Sequence, residues 1–554
     1  MPTTIYNFEA KSIQNYILDS SKLKDMIGAS EQIEYLCCEN GLLDQVLQAL
    51  DFNKETFCFA RRAGGAIQAI FLNTDDAKRF QAVWTLCIQH AFPGLTFVQG
   101  IAEDKDWKIA IEKSRTAFKQ DNRTRLSFTL PLAGPLVTRS RRTGQPAVFY
   151  QQQLGEYQDA TTKNKRKPQF RKGKRLIGKI TFDMPVEWPI NFNPDNEDED
   201  EDEDEHLFPL LKDNNYIGII HADGNNFDQL LRQVQETLLE NPKVTARYYA
   251  EVLMAFSQAI NHANIQATLE ATKQVLAKEA THDFQVMPAR PLVLGGDDFT
   301  FIVRGDLALP FTQMFLEEFE KRSEVELALL KKYPELMKDF STKLTAGAGI
   351  AYVKASQPFY RAYHLTESLC TKAKNFAKDH PETRAGKYII PSSVAFHRIT
   401  TSIIDDYETV LKDELRYDFG SRKIQATMQP YLVGNVIPSK FPNDCPRLDD
   451  FWSLYDFLTK HEISHGVMRE FMSLLEIEPR RAEAAMARWY DNMKKRKQTG
   501  LLDELKRILA TLVDTQPKDA VKLLGSIVDK HERTPIGDAL ALMSINKGSD
   551  YVSD

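Results

Sequence analysis

The sequence has few cysteines, no secretion signal and no long apolar run. Its six cysteines include no CxxC pair, so neither a zinc ribbon nor a disulfide framework is indicated. The amino terminus, MPTTIYNFEAK, lacks the charged and then apolar segments of a signal peptide. No stretch approaches the ~20 apolar residues that a membrane span requires. These absences predict a cytoplasmic protein with reduced thiols and no membrane-spanning segment.

The length and the charge distribution limit the kind of protein further. A chain of 554 residues exceeds what one hydrophobic core supports, so about three or four domains are expected. The net charge is -6, but one uninterrupted acidic run, residues 197–205, carries nine negative charges. Without that run the charge would be +3. The rest of the chain is therefore mildly basic, which is compatible with a nucleotide or nucleic-acid partner.

An internal repeat organises the first 400 residues. The later copy contains a strand and helix, a hairpin around Gly-Gly, and a strand before another helix: residues 216–231 (YIGIIHADGNNFDQLL), 290–304 (RPLVLGGDDFTFIVR) and 344–352 (LTAGAGIAY). The same order occurs earlier: residues 4–18 (TIYNFEAKSIQNYIL), 57–71 (FCFARRAGGAIQAIF), 95–103 (LTFVQGIAE) and a helix over 109–119. We therefore predict two α/β domains of one type, each with an antiparallel-rich sheet and helices on one face.

The remaining segments differ in composition. Residues 161–179 are strongly basic and residues 197–205 are acidic, and such blocks are expected to be disordered or solvated. From residue 448 onward apolar residues recur at helical spacing, which predicts a bundle of about five or six helices. The predicted domains are a degenerate first repeat (1–125), a linking region (126–210), a catalytic second repeat (211–400) and a helical domain (401–554).

Four residues at a predicted hairpin tip, Gly295-Gly296-Asp297-Asp298, are the first candidates for chemistry. The glycines permit a sharp turn and close approach of a ligand. Two acids between apolar strands are costly unless a positive ion binds there, although the motif taken alone also fits a solvated turn. Asp223 is the second element, because it ends an apolar strand just before Gly224 and a helix.

Convergence of these acids would create a metal site. Two or three carboxylates hold two divalent cations about 4 Å apart in nucleotidyltransferases. Magnesium, or manganese in its place, prefers such oxygen ligands and binds substrate phosphates as well. We therefore predict a metal-dependent nucleotidyltransferase that acts by positioning and electrostatics on nucleoside triphosphates. Asp223, Asp297 and Asp298 are the predicted catalytic residues, and they are the predicted metal ligands together with Ala222.

A cation and backbone N–H groups are expected beside the triphosphate. Lys374 follows the third strand of the second repeat, but Lys372 and Lys378 compete with it, and a solvated helix face explains any single lysine equally well. The helix that opens after Gly224 adds backbone N–H groups that favour phosphate. The predicted nucleotide-binding residues are Gly224, Asn225, Gly295, Gly296 and Lys374.

The first repeat lacks the corresponding acids. Its hairpin reads Gly64-Gly65-Ala66-Ile67, and its first strand ends with Glu9-Ala10-Lys11. The scaffold is kept while the aspartates are absent. We therefore expect the first repeat to be catalytically inactive, with nucleotide binding or pairing with the second repeat as its remaining roles.

Other motifs have simpler explanations. Residues 461–465, HEISH, match the zinc-protease pattern HExxH, but Ser464 has the features of an N-cap, which would place the two histidines outside one continuous helix. His282-Asp283 lacks the additional histidines of an HD phosphohydrolase. The basic segments fit RNA phosphate contacts and plain solvated surface equally well: residues 139–142, 163–174 and 494–497.

Together these residues resemble the large palm-domain subunit of type III CRISPR effector complexes, in a divergent form. The segments that carry the resemblance are GGDD (295–298), HADG (221–224), AGIAYVKASQPFYRAYHLTESLCTKAK (348–374), FEAKSIQNYI (8–17), MIGAS (26–30) and TMQPY (427–431). It implies an α+β fold with two ferredoxin-like palm domains of the nucleotide cyclase or GGDEF type and an α-helical carboxy-terminal bundle.

The resemblance also implies a function. Members make cyclic oligoadenylate second messengers from ATP in the second palm, for antiviral defence, when their complex binds target RNA. The expected partners are nucleoside triphosphates, subunits of a guide RNA complex and target RNA, with a homodimer through the palm domains as another arrangement. Two departures stand out: no amino-terminal HD nuclease domain is recognisable, so DNA cleavage is not expected, and residues 139–148 (RSRRTGQPAV) replace a zinc-binding cysteine set.

Two other functions compete with the cyclase. A catalytically silent scaffold subunit of an RNA-guided effector complex would use the same fold, but it has no chemical reason to keep three acids at strand ends. A GGDEF-like dinucleotide cyclase would have Glu-Phe where Phe299-Thr300 stands, and an aspartate in place of Asn225. The sequence therefore favours the oligonucleotide cyclase.

Overall fold

The structure, a computed structural model, shows an α+β protein whose residues fall into two units. Unit 1 comprises Met1–Pro209, Asn226–Phe301 and Lys321–Leu344, and unit 2 comprises Leu210–Asn225, Ile302–Glu320 and Thr345–Asp554. The residues described are 2–20, 22–53, 55–124, 134–152, 155–182, 186–192, 206–211, 214–280, 285–336, 343–384, 387–400, 406–436, 438, 445–461, 465–513, 523–528 and 530–546.

The first repeat forms a sheet covered by helices. Its strands are β1 (Thr3–Lys11), β2 (Phe57–Ala63), β3 (Ala66–Phe71) and β4 (Thr96–Asp104). Its helices are α1 (Ile13–Leu18), α2 (Leu23–Cys37), α3 (Leu42–Leu50), α4 (Thr74–Ala91) and α5 (Trp107–Thr124). The strand order is β2-β3-β1-β4, with β1 antiparallel to both neighbours, which is the ferredoxin-like arrangement. The predicted order of strands, hairpin and helices in this repeat is confirmed.

Aromatic side chains build the core of the first sheet. Tyr6 and Phe8 on β1 are buried, and each packs edge-on against a ring of α4, Phe80 and Trp84 respectively, with centroids 5.4 Å apart. Both side chains lie on the same face of β1 because residues two apart in a strand share a face. Rings of this size bury ~150–250 Å² each, so they hold α4 on the sheet.

The basic segment that follows is folded, and the prediction of a solvated or disordered stretch is wrong there. It forms β5 (Ala147–Gln151), β6 (Glu156–Asp159), α6 (Ala160–Lys165), α7 (Pro168–Arg171) and α8 (Lys174–Gly178). Lys165 is buried and donates to the Tyr16 carbonyl at 2.6 Å. Arg166 pairs with Asp25, which is fully buried on α2. The charges can leave water because acceptors and acids of the first repeat receive them.

The second repeat contributes elements to both units. They are β7 (Tyr216–Gly224), α9 (Phe227–Glu240), α10 (Ala246–Ala271), α11 (Ala277–Ala280), β8 (Ala289–Gly295), β9 (Asp298–Arg304), α12 (Gly305–Ala328), β10 (Ala346–Lys354), α13 (Phe359–Asp379), β11 (Glu382–Arg384), β12 (Lys387–Ile389) and β13 (Ser392–Arg398). Within unit 2, β10 is antiparallel to β7 and parallel to β13. The predicted strand before the helix, LTAGAGIAY, corresponds to β10 and is confirmed.

Small residues bring α13 close to β10. A Cβ atom on Gly349 would lie 2.2 Å from the carbonyl oxygen of Thr366 on α13, so any side chain there would push the helix away. A Cβ atom on Gly347 would lie 2.4 Å from Cγ of Lys374. The glycines of this strand therefore determine where the helix and its lysine lie.

The carboxy-terminal part is helical, with a sheet that the sequence did not predict. Its elements are α14 (Tyr407–Val410), β14 (Arg416–Asp418), β15 (Lys423–Gln425), β16 (Tyr431–Val433), α15 (Leu448–Lys460), α16 (His465–Ile477), α17 (Pro479–Lys495), α18 (Thr499–Val513), β17 (Gly525–Val528), β18 (His531–Arg533) and α19 (Ile536–Asn546). Strands β14-β15-β18-β17 form one sheet, and β16 pairs with β13. Among the described residues, no helix has the length and apolar character needed to cross a membrane.

A buried carboxylate explains the TMQPY segment. Asp538 on α19 accepts hydrogen bonds from the Thr427 hydroxyl at 2.7 Å, the Met428 backbone N–H at 2.9 Å, the Gln429 amide at 2.8 Å and the Tyr431 hydroxyl at 2.7 Å. Burial raises the pKa of Asp538, although these hydrogen bonds oppose that rise. The segment that carries part of the family resemblance is thus a structural connection to the last helix.

Some predicted features lie outside the described residues: the acidic run 197–205, the His282-Asp283 pair and the N-cap Ser464. The two histidines of the HExxH match can still be placed on the chain. Helix α15 ends at Lys460, with His461 as its C-cap, and α16 begins at His465. The histidines therefore do not lie on one continuous helix, as the sequence indicated.

Candidate active site

Asp223 lies at the end of β7, next to Lys374. The Nζ atom of Lys374 contacts Oδ2 of Asp223 and donates to the Gly224 carbonyl at 3.0 Å. The side chain of Asp223 is 34% exposed and that of Lys374 is 16% exposed. Asn226, with a left-handed φ of 56°, follows β7 and starts α9. The structure therefore brings together three predicted site residues of unit 2, Asp223, Gly224 and Lys374.

The two competing lysines of α13 are placed elsewhere. The Nζ atom of Lys372 pairs with Oε1 of Glu408 at 2.6 Å, and Lys378 is exposed near the end of the helix. Lys374 differs from Lys372 in that its side chain is less exposed, 16% against 34%, and in that its acidic partner is the predicted site residue Asp223. The sequence offered no means of choosing between the three.

Asn225 holds the end of β7 in place through its own hydrogen bonds. Its backbone N–H donates to the Thr345 carbonyl at 2.8 Å, and its side-chain amide donates to the Thr345 hydroxyl at 3.0 Å and the Pro391 carbonyl at 3.2 Å. The residue is only 4% exposed. The protein therefore uses the side-chain donors of this predicted nucleotide-binding residue to fix the strand that carries Asp223.

The GGDD sequence forms the tip of the β8–β9 hairpin, as predicted. Gly296 and Asp297 are the turn residues, and Gly296 has a φ of 63°, which glycine adopts at low cost. Asn264 on α10 donates to the carbonyls of Gly296 at 3.0 Å and Asp298 at 3.2 Å. Asn261, one helical turn earlier, accepts from the Gly296 backbone N–H at 3.2 Å. Two helix amides thus fix the backbone that carries the acids.

Sequence reasoning missed both asparagines. Asn264 is fully buried on a largely apolar helix, and it lies 32 residues before Gly296. A buried amide on such a helix needs hydrogen-bond partners, because an unpaired polar group in the interior is costly. The only signal in the sequence was therefore a pair of asparagines three residues apart on an apolar helix, without an indication of their partner.

A cavity of about 280 Å³ in unit 1 adjoins the hairpin tip, close to the lower end of the ~300–1,000 Å³ range of ligand pockets. Its acidic lining residues are Glu9, Asp297 and Asp298, its cationic ones are Arg61, Arg115 and Lys119, and its phenylalanines include Phe118, Phe227 and Phe256. Acids, cations and aromatic rings around one space suit a ligand that combines bound metal, phosphates and a planar base.

The two Gly-Gly turns meet at this cavity. A Cβ atom on Gly295 would lie 4.0 Å from the Cα atom of Gly64, and both glycines line the cavity. Glu9 of the first repeat pairs with Lys11 at 2.7 Å, with both side chains about one-third exposed. The first repeat therefore supplies one wall of the cavity even though it lacks the aspartates.

The donor chemistry fits magnesium, whereas the arrangement is not that of a closed metal cage. Carboxylate oxygens are the ligands that magnesium prefers, and it usually keeps waters and substrate phosphates as additional ligands. Among the described residues, no three histidine, cysteine, aspartate or glutamate side chains are grouped as a metal site. Lys374 already occupies the carboxylate of Asp223. A metal at these acids would therefore depend on ligands that a substrate brings.

Comparison with known proteins relates the second repeat to a described domain. Residues 216–381 match the family model of Cas10/Cmr2, second palm domain. No curated protein sequence matches the chain. The resemblance inferred from the second-repeat motifs is confirmed for this part of the chain.

Several crystal structures match much of the chain at low sequence identity and with low TM-scores. A chain of the Csm1-Csm4 cassette in complex with cA3 is 11% identical, with a TM-score of 0.46 over 99% of this chain and 69% of that chain. A chain of the cassette in complex with AMPPNP is 12% identical, with a TM-score of 0.40 over 68% of this chain. A third, from a subcomplex of the type III-A CRISPR-Csm interference complex, is 12% identical with a TM-score of 0.41. The present chain spans about half of the AMPPNP-bound chain, 53%.

Proposed function

We propose that this chain, whose residues 216–381 match the second palm domain of Cas10/Cmr2, is a metal-dependent nucleotidyltransferase that makes cyclic oligoadenylates from ATP. The observation that carries the proposal is the GGDD hairpin at the wall of a cavity that also contains cationic side chains and aromatic rings. Phosphoryl transfer requires acids that bind a metal and, beside them, groups that bind phosphate. ATP as the substrate and a role in CRISPR-type antiviral defence rest on the family match.

The two repeats support a common site for the three acids. In the first repeat Glu9 lies three residues before Ser12, whose left-handed φ of 52° starts α1. In the second repeat Asp223 lies three residues before Asn226, whose left-handed φ of 56° starts α9. Both strands thus end in the same backbone conformation, so Glu9 and Asp223 are equivalent positions.

The register of the first sheet then predicts the partner of Asp223. Glu9 on β1 lies directly opposite Ala66 on β3, the first residue after the Gly-Gly turn. The first turn consists of Gly64 and Gly65 and the second of Gly296 and Asp297, so Ala66 corresponds to Asp298, the first residue of β9. If the second repeat keeps the register of the first, Asp223 and Asp298 face each other, with Asp297 in the adjoining turn. This equivalence supports the proposal that the three acids share one site.

Each group would have a separate role in the reaction. Asp223, Asp297 and Asp298 would hold magnesium, which would supply a Lewis acid for activating a 3′-hydroxyl and positive charge for the phosphates. The Asn264 amide donates to the hairpin backbone and the Asn261 side-chain oxygen accepts from it, and these bonds keep the hairpin in one conformation, so little reorganisation is needed during transfer.

Cationic residues of the first repeat would bind the phosphates. Arg61, Arg115 and Lys119 line the cavity, and charge-assisted hydrogen bonds from such groups to phosphate are stronger than neutral ones. The first repeat would thus be catalytically inactive and would still bind nucleotide. Guide RNA complex subunits and target RNA are the proposed partners, on the strength of the family match.

A catalytically silent scaffold subunit is the second candidate. Its specific support is the carboxylate of Asp223, which is already engaged by Lys374. A site that no longer binds metal would be expected to replace the metal by a protein cation in this way. The scaffold would keep the fold and its partners without turnover.

Product analysis distinguishes the two candidates. The purified chain is incubated with each labelled nucleoside triphosphate and magnesium or manganese, with and without copurified RNA, and the products are identified by mass spectrometry. Cyclic adenylates from ATP, with no cyclic product from the other nucleoside triphosphates, would support the cyclase. A different cyclic nucleotide would correct the substrate, and no consumption of any nucleotide under any of these conditions would favour the scaffold.

A further inference from the structure

The carboxylate of Asp223 is held by a cation that belongs to the protein. Lys374 approaches it from α13 and also donates to the Gly224 carbonyl, so the ammonium group has two fixed oxygen partners at the end of β7. Its side chain is only 16% exposed, which limits the water that can screen the pair. The ion pair is therefore more than an incidental surface contact.

The strand opposite is shaped for this lysine. Gly347 on β10 pairs directly with Asp223 on β7, and a Cβ atom on Gly347 would lie 2.4 Å from Cγ of Lys374. Even alanine at position 347 would collide with the aliphatic stem of the lysine. The absence of a side chain at Gly347 thus leaves space for the stem of Lys374, whose ammonium group can then reach Asp223. Lys372 on the same helix pairs with Glu408 instead.

We infer that Lys374 is a positioning residue that competes with the metal for Asp223 and thereby makes metal binding depend on the nucleotide. This inference rests on the proposed function, because it takes Asp223 as a metal ligand. An ammonium group and a divalent cation repel each other when both lie at one carboxylate. A metal ion that binds without nucleotide must therefore displace Lys374, and the displaced ammonium group then gains no other anionic partner. A triphosphate offers the displaced ammonium new anionic partners, so metal and nucleotide together bind more readily.

Metal binding without nucleotide tests the inference directly. Binding of Mn²⁺ to the full chain is measured by loss of the free-ion electron paramagnetic resonance signal, for the wild type and Lys374→Met, which keeps the stem and removes the charge. We expect Lys374→Met to bind Mn²⁺ about tenfold more tightly, which corresponds to ~1.4 kcal/mol. Addition of a non-hydrolysable ATP analogue should tighten Mn²⁺ binding strongly in the wild type and much less in the variant.

Control variants separate charge from structure. Lys374→Arg keeps a cation and should retain wild-type affinity for Mn²⁺, and Lys372→Met removes a charge from the same helix without touching Asp223, so it should also behave as wild type. Lys374→Gln provides a second neutral variant should Lys374→Met fail to fold. The increase in melting temperature at a fixed Mn²⁺ concentration gives an independent readout, because tighter binding stabilises the folded state more.

Unchanged or weaker Mn²⁺ binding in folded Lys374→Met and Lys374→Gln would overturn the inference. Asp223→Asn identifies failure at the earlier step: if this variant binds Mn²⁺ as the wild type does, Asp223 is not a metal ligand and the proposed metal site itself is wrong. Loss of Mn²⁺ binding in Asp223→Asn, with no effect of Lys374→Met, would leave the metal site standing and refute only the role of the lysine.

Discussion

A buried charge cluster holds the linking segment on the first repeat, and its removal gives a measurable prediction. Asp25 on α2 is fully buried and bonds to Arg142 at 2.9 Å, Arg166 at 2.5 Å and the Ser20 hydroxyl at 2.6 Å. Burial by itself would raise the pKa of Asp25, but the two guanidinium groups and the hydrogen bonds lower it below its usual range. The ionised carboxylate is therefore the form that the folded state requires.

The size of the effect follows from the burial of all three charges. The side chains of Arg142 and Arg166 are 8% and 12% exposed, so Asp25→Asn would remove the carboxylate that these two largely buried cations share, while Glu156 would remain a partner of Arg142. Removing one partner of a buried ion pair costs ~3–5 kcal/mol. We predict a loss of about 3 kcal/mol for Asp25→Asn, which keeps an acceptor oxygen, and about 5 kcal/mol for Asp25→Ala.

The pH dependence of this loss has a definite sign. The pKa of Asp25 in the folded state lies below its unfolded value of about 3.9. The carboxylate therefore contributes its stability above pH ~4, and that contribution disappears as the pH falls through the folded-state pKa. The difference in stability between the wild type and Asp25→Asn should narrow on acidification below pH ~4.

Unfolding of the linking segment in urea, detected by limited proteolysis at several pH values, measures the loss of stability and its pH dependence. Lys113→Gln is the control, because it breaks an exposed ion pair with Asp104 in the same unit, and such pairs contribute little. A loss of less than ~1 kcal/mol for Asp25→Asn at pH 7, or a difference from the wild type that does not change with pH, would refute the reasoning.

The remaining predictions concern the cavity, the hairpin and the last helix. Arg61→Ala and Lys119→Ala should each weaken binding of a fluorescent ATP analogue by roughly tenfold or more, while replacement of the exposed Arg79 of α4 by alanine should not. Equal affinity in all three variants would contradict a phosphate-binding role. Asn264→Ala should slow turnover, because the hairpin loses both hydrogen bonds that the Asn264 amide donates to it. A rate equal to that of the wild type would show that the hairpin does not need these two hydrogen bonds. Asp538→Ala leaves buried donors unpaired and should lower the stability of unit 2 by ~3 kcal/mol or more; an unchanged melting transition would disprove this.

Local patterns in the sequence predicted the repeat and its turns well. Short apolar runs gave the strands, and the Gly-Gly pairs gave both hairpins, since these signals depend on residues that are neighbours in the chain. The position of Asp223 between an apolar strand and a helix start was equally local. Its neighbour Lys374 was predicted on the correct helix, but its choice over Lys372 required the position of Gly347 on the opposite strand.

Features that depend on distant partners were not predictable. The basic linking segment was expected to be solvated because its composition is polar, but its acid, Asp25, lies more than a hundred residues earlier. The support of the GGDD turn by Asn264 likewise joins residues of different elements. In the carboxy-terminal sheet, strands such as Arg416–Asp418 and Lys423–Gln425 have three residues each, which is too short for a periodic pattern.

We propose that Asp223 at the end of β7 and the two acids of the β8–β9 hairpin form one catalytic metal site. Formation of cyclic adenylate and release of pyrophosphate from labelled ATP are measured for the wild type, for Asp223→Asn, Asp297→Asn and Asp298→Asn separately, and for Asp228→Asn, an exposed acid on the first turn of α9. The account predicts that each of the first three variants loses activity by on the order of a hundredfold or more and that Asp228→Asn keeps it. Wild-type turnover in Asp223→Asn, with loss in the two hairpin variants, would contradict a site shared by all three acids.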